Sequence, residues 1–190
     1  MTSEREETKA ATHERIVASA SKLMRWKGLA AASIPRVMRG AGLTVGGFYA
    51  HFRSKRAMDA DVLRRTLAKV HESWFAGLED SRGLDWMARV VKRYLTAAHR
   101  DAPEIGCPLP ATLSELTRAD KRTREAMAEI FEHSVGAIAT HAPPAPGVSK
   151  RERAIATLAL CVGGLAIARA LRGQPISDEV LQACRKWALV

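Results

Sequence analysis

"LTVGGFYAHFRSKRAM", residues 43–58, decides how the rest of the chain is read. It sets two adjacent glycines, Gly46 and Gly47, between segments of helical periodicity, and glycine costs a helix interior about 1 kcal/mol relative to alanine. The neighbours supply a reason. Phe48 and Phe52 lie four apart, on one face of a helix running from Val45 to about Phe52, where packing can offset the lost helicity. Gly42 is free to take positive φ in the tight turn before it, and Thr44 is placed to cap the helix. Upstream, Ser33 can cap a short helix to about Gly40, with Pro35 in its first turn. Short helices joined by such a turn describe a helix-turn-helix, whose second helix enters the major groove and must not carry bulk that holds it off the bases. On this reading Val45, Gly46 and Gly47 face the bases. Thr44, Tyr49, His51 and Lys55 position the helix on the phosphate backbone, and Ser33 and Arg36 complete the expected DNA-contacting set.

Charge points the same way. The 190 residues carry a net charge of +10, unevenly spread. Between Glu14 and Asp59 there is no acidic residue, while Arg15, Lys22, Arg25, Lys27, Arg36, Arg39, Arg53, Lys55 and Arg56 all fall there. From residue 66 onward 17 basic residues face 14 acidic ones, so the remainder is nearly balanced. A basic module on an ordinary body suits binding to a phosphate backbone. A basic face meeting an anionic membrane or another partner is the alternative from composition alone.

The rest of the sequence reads as helices, about nine in all, giving an all-α fold. A first helix spans about Thr8 to Lys27 and stops at Gly28. Ser54 caps a long helix to about Leu78, and Trp86, Val90, Tyr94 and Ala98 mark another ending near Arg100. "DAPEIGCPLP" is a loop before a short helix at 111–116, and a further helix runs from Lys121 to Thr140. "HAPPAPGV" is a linker, after which Ser149 and Glu152 form a capping box for a helix to Arg172. Ser177 is expected to cap the last helix. The apolar run "AIATLALCVGGLAIARAL" is interrupted by Gly163 and Gly164 and flanked by charge, as in a buried helix and not a membrane span. The N-terminus lacks the apolar core of an export signal, and three widely spaced cysteines suit reduced thiols in a cytoplasmic protein.

The segment "AGLTVGGFYAHFRSKRAM" resembles the signature of TetR/AcrR-type transcriptional regulators. Ala41, Gly42, Leu43, Thr44, Gly46, Phe48, Tyr49, His51, Phe52, Ser54, Lys55 and Met58 match it, as do Gly28, Ser33, Ile34 and Val37 upstream. Arg56 and Val45 depart from common usage, and an apolar Val45 suits a thymine methyl group better than a guanine edge. "GCPLPATLSEL" further resembles a branch of the family with a Gly-Cys-Pro motif before the middle helices. The resemblance implies a helix-turn-helix domain over residues 1–53 and an effector-binding and dimerisation domain over 54–190. It also implies a palindromic double-stranded DNA operator, a small-molecule effector, and a homodimer formed by the last two helices. A repressor is the expected sense of regulation.

Trp86, Tyr94, His99, Cys107, Met127 and Phe131 are the candidate effector-binding residues. Cys107 precedes Pro108 at the mouth of a helix, where amide groups favour a thiolate. Some relatives with this motif respond to electrophiles, which makes it a candidate sensor, whereas a small buried loop residue is the plainer reading. Ala159, Gly163, Ala166 and Ala170, alongside Leu158, Val162 and Leu165, form a stripe suited to close helix packing within or between chains. No metal-ligand spacing, nucleophile elbow or phosphate loop is present, so neither cofactor nor metal nor catalysis is expected. An enzyme using Cys107 is the remaining rival.

Overall fold

The computed structural model describes residues 4–190, and residues 1–3 of the expected first domain lie outside them. Nine α-helices account for most of the described residues: α1 Glu4–Lys27, α2 Ile34–Gly40, α3 Lys55–Phe75, α4 Gly83–Tyr94, α5 Ala97–Asp101, α6 Leu109–Leu116, α7 Lys121–His141, α8 Lys150–Ala170 and α9 Pro175–Trp187. Short 3-10 helices occupy Val45–Ala50 and Pro103–Ile105.

Turn chemistry explains most boundaries. Gly28 ends α1 at φ +83°, its amide bonded to the Met24 carbonyl at 3.0 Å, and Gly42 takes φ +68° between α2 and the recognition segment. Ser54 caps α3 by accepting from the Ala57 amide at 3.1 Å. The capping box at α8 forms in both directions, Ser149 N–H to Glu152 at 2.8 Å and Glu152 N–H to Ser149 Oγ at 3.2 Å.

Four expectations need correcting. The recognition segment is a six-residue 3-10 helix and not an α-helix to Phe52. Its bonds run three residues back, as from His51 N–H to Phe48 O at 2.9 Å, which suits a stretch where two glycines lower helicity. The helix expected to reach Arg100 breaks at Leu95, and Thr96 caps a new one by accepting from the His99 amide at 3.0 Å. Helix α3 stops at Phe75, short of Leu78. Ser177 does not cap α9: it lies buried in the first turn, donating to Ala168 O at 2.7 Å and accepting from Arg100 at 2.9 Å.

Two apolar clusters organise the chain. The first joins Ile16, Ala20, Met24, Val37, Met38, Phe48 and Phe52 to Met58, Val62 and Leu63 of α3 and to Leu116 of α6. The second begins with Leu67 and Val70 on the same α3 and gathers α4, α7, α8 and α9. Helix α3 therefore belongs to both cores and ties the recognition segment to the larger body.

Candidate nucleic-acid interface

The recognition segment is held from beneath. Phe48 is fully buried and stacks on Phe52 with centroids 5.7 Å apart, while His13 of α1 stacks on Phe52 at 4.7 Å. Ser19 of α1 donates to Val37 O at 2.8 Å and Arg15 donates to Ala41 O, fixing α2 and the turn. Above this floor Thr44, Val45, Gly46, Gly47 and Tyr49 are exposed, Val45 by 48% and Tyr49 by 67%.

That outer surface is chemically uncommitted. Ser33 and Thr44 stand at the cap positions in extended backbone, yet neither side chain bonds its own helix, so both hydroxyls are left for an outside acceptor. A Cβ added at Gly46 would meet nothing within 4 Å, and one at Gly47 only Met38 at 3.7 Å. Neither glycine takes positive φ. Nothing inside the protein requires glycine at these two positions.

Arg36 is exposed on α2, and so is Arg39, one turn on; neither makes an ion pair among the described residues. Arg39 and Arg53, both exposed and without an ion pair among the described residues, lie outside the expected contact set although they stand in the same acid-free interval. His51 is half-buried near His13, and burial, with the charges of His13 and Lys9, pushes its pKa down. It therefore offers a hydrogen bond to a backbone phosphate and little charge. Lys55 is largely occupied. Its ammonium donates to Leu29 O at 3.1 Å and to Asp59 at 2.6 Å, leaving one of three N–H groups for a phosphate.

The same turn is gripped from α6. The carboxylate of Glu115, on α6, accepts from the amides of Leu29 and of Ala30, the latter at 2.9 Å. No local pattern announced this contact, because the partners are 86 and 85 residues apart. Glu115→Ala strands two amides at the end of α1 and is expected to cost about 1–3 kcal/mol in thermal unfolding, while Glu115→Gln, which keeps one acceptor, costs less. Equal Tm values for the two variants would remove the strut.

The six expected effector residues do not share one pocket. Trp86 lies in the core, stacked on His141 at 4.3 Å with the planes 9° apart. Met127 and Phe131 line an open apolar cleft of about 590 Å³ between α6, α7 and α8, beside Leu109, Leu113, Leu158 and Val162. Tyr94, His99 and Cys107 form a separate interior cluster. His99 Nδ1 donates to Tyr94 O at 2.7 Å, and Nε2 accepts from the Cys107 amide at 2.9 Å, an arrangement that requires the neutral ring. Burial agrees, pushing its pKa down to about 4.

Cys107 is 1% exposed. Burial pushes its thiol pKa up, and the opposing pull of the Tyr94 hydroxyl, the Leu109 amide, Arg169 and Arg25 does not overcome it. The helix-mouth position thus fails to produce a thiolate. All three cysteines are free. At pH 7.5 maleimide labelling is expected to reach the half-buried Cys184 before Cys107 or Cys161, and faster labelling of Cys107 would restore its reading as a sensor.

A short helical reader seated on a buried aromatic floor, with phosphate-seeking groups around it and a larger helical body behind, defines a helix-turn-helix DNA-binding protein. Residues 16–61 match the family profile described as bacterial regulatory proteins, tetR family. Over about a quarter of its length the chain is thus similar to the DNA-binding module of that family, which supports a DNA-binding transcriptional regulator. Its fold is similar to that of a TetR transcriptional regulator from Chloroflexus aurantiacus J-10-fl (TM-score 0.80, 23% identity, covering 96% of this chain and 94% of that one). It is also similar to Escherichia coli NemR in its reduced form (TM-score 0.79, 19% identity, 93% and 95% covered). A third likeness is to a transcriptional regulator from Saccharomonospora viridis in complex with choline (TM-score 0.75, 18% identity, 94% and 95% covered). Among curated proteins no sequence matches the chain. TetR-family regulators are soluble proteins that bind DNA operators and small-molecule effectors, usually as dimers, and are not enzymes.

Proposed function

We propose that this chain is a cytoplasmic homodimeric repressor that leaves a palindromic operator when an effector occupies its C-terminal domain. The observation that carries the reading is the uncommitted Thr44–Tyr49 surface over the Phe48–Phe52 floor. Val45, Gly46 and Gly47 approach the bases, and Thr44, Ser33, Tyr49, Arg36 and His51 hold the phosphates, with Lys55 as much a strut as a contact. Residues 1–53 act as the reading unit and 54–190 as the regulatory one, α3 being shared between their cores.

The dimer reading rests on what α8 and α9 leave uncovered. Leu158, Val162 and Leu165 are spent on the chain's own core, whereas Ala159 and Ala170, with Ile155 and Ile167, are exposed on α8. On α9, Ile176 and the 62%-exposed Trp187 add to this apolar area. By length and composition α8 could cross a membrane, but half of its most apolar window is buried in the protein. A second copy covering this face puts two reading units on one DNA.

An effector that favours a dimer with wrongly spaced readers lowers operator affinity by shifting the population. The cleft of Met127 and Phe131 offers the apolar lining, and α6 is the path: its first residue, Leu109, lines the cleft, and Glu115 near its far end grips the turn after α1. The choline bound by one structural relative is precedent for a small organic effector on this fold.

The experiment is a gel-shift series on a selected operator at several salt concentrations. The Arg36→Ala, Tyr49→Ala double variant is expected to bind every sequence more weakly and to lower the salt slope by about 0.9, one phosphate contact by a charged group, with dimerisation unchanged. Wild-type affinity in that variant, or equal wild-type affinity for any polyanion, contradicts the proposal.

A further inference from the structure

Two arginines flank the Glu104–Cys107 turn without an ion-pair partner among the described residues. Arg25, in the last turn of α1, has no guanidinium hydrogen bond to any described residue, and its Nε is buried without an acceptor among them. Arg169, on α8, donates once, to His99 O at 2.9 Å, and leaves Nε and Nη1 buried and unpaired. Beside Arg169, Tyr94, 2% exposed, has a hydroxyl that faces the Cys107 thiol and makes no hydrogen bond of normal geometry. Burial lowers the pKa of both arginines, which is the mark of a cost not yet compensated. Glu104 exerts a coulombic pull on Arg169 but makes no ion pair with it.

Arg25 is not sealed in. It lines a groove of about 510 Å³ between α1, α3 and the Pro103–Ile105 turn. The other cations there are Lys22, Lys69 and Arg65. Arg65 is taken by Glu14 and by Asp61 at 3.0 Å, whereas Lys22 and Lys69 are exposed and make no ion pair among the described residues. Glu14 also lines the groove but is paired with Arg65, so three uncommitted cations face one free carboxylate, Glu104, in a concavity of small-molecule size. The C-terminal dipole of α1 offsets part of the charge on Arg25 but gives its buried Nε no acceptor. An oxyanion does both, since a guanidinium fork matches a carboxylate or phosphate in two parallel bonds.

We propose that this groove binds a small organic anion, through a carboxylate or phosphate seated on Arg25 with Lys22 and Lys69 at its mouth, and that its occupancy is transmitted to the recognition segment. Transmission follows from position. The groove wall continues through Cys107 and Pro108 into α6, whose Glu115 grips Leu29 and Ala30, four and five residues beyond Arg25. Both ends of that connection therefore meet at the C-terminus of α1, on which α2 and the reader rest. The binding site stands on its own observations; the transmission rests on the effector-controlled repressor reading.

The test uses the full chain with sodium benzoate and inorganic phosphate as separate probes, ionic strength held constant with sodium chloride and benzamide as the uncharged control. Near-saturating anion is expected to raise Tm by about 2–4 °C, as for a ligand that binds only the folded state. Arg25→Gln should abolish the shift, Lys69→Glu should weaken the apparent affinity by about tenfold, and Lys92→Gln, on α4 away from the groove, should keep it. If Arg25→Gln fails to fold, the exposed Lys69→Glu variant decides. A response to benzoate alone assigns the site to carboxylates, and one to phosphate alone assigns it to phosphates; either supports it. No shift with either anion, or a full shift in both groove variants, overturns the site and leaves effector control elsewhere standing. Binding without any change in operator affinity overturns the transmission and leaves the site standing.

Discussion

Gly46→Glu is expected to reduce operator affinity by more than ~100-fold with no loss of folding stability, because a carboxylate set against phosphates costs several kcal/mol. The protein itself does not resist the change. A side chain at Gly46 points into open space, and the backbone there is accessible to any residue. Glutamate is also the better helix former, so Tm should stay level or rise slightly. Gly46→Ala provides the graded control, with a smaller loss of affinity from its single methyl group. Gel shifts at fixed salt, paired with thermal unfolding, separate the two effects. A variant that loses stability along with binding would mean the glycines serve packing and not the approach to DNA.

The second large effect runs in the opposite sense. Phe48→Ala empties a fully buried position beneath the reader and removes the ring that stacks on Phe52 and meets Tyr49 edge-on at 5.3 Å. Large-to-small aromatic changes in cores cost about 3–5 kcal/mol. In a chain of this size that lowers Tm by roughly 6–20 °C. Operator binding falls because the reading surface no longer has one shape. The neighbouring Tyr49→Ala, at an exposed position, should change stability by no more than about 0.5 kcal/mol while still weakening DNA binding. Calorimetry on the two variants distinguishes floor from surface, and equal destabilisation by both would contradict that division.

The two phenylalanines show what the sequence makes legible. Their spacing of four, the glycine turn and the cap residues are local signals, and they locate the recognition segment without a structure. The capping box of Ser149 and Glu152 and the stop at Gly28 are legible for the same reason, since each is decided within a few residues. What local pattern misses is competition with the fold. Two glycines tighten the reader into a 3-10 helix. Thr96 outbids continuation of α4, and Ser177 finds a better use bridging Arg100 and the Ala168 carbonyl than capping α9.

Distance along the chain hides the rest. Lys55 looks like a phosphate contact until Leu29 O and Asp59 are seen around it, and Glu115 carries no signal of its grip on the turn 85 residues earlier. Residue type marks the effector candidates but says nothing of which cavity each enters. They separate into core, open cleft and buried polar cluster. Cys107 sits at a helix mouth as the spacing requires, but burial and not the helix end governs its chemistry.

The central claim is that the surface from Thr44 to Tyr49 reads base sequence on two successive major-groove faces. In vitro selection of the full-length protein on a randomised duplex pool addresses it directly. Enrichment of an inverted repeat whose half-sites lie about one helical turn apart, lost with Gly46→Glu, is the predicted result. Retention of the pool without sequence enrichment would contradict it and leave only a basic surface that binds polyanions.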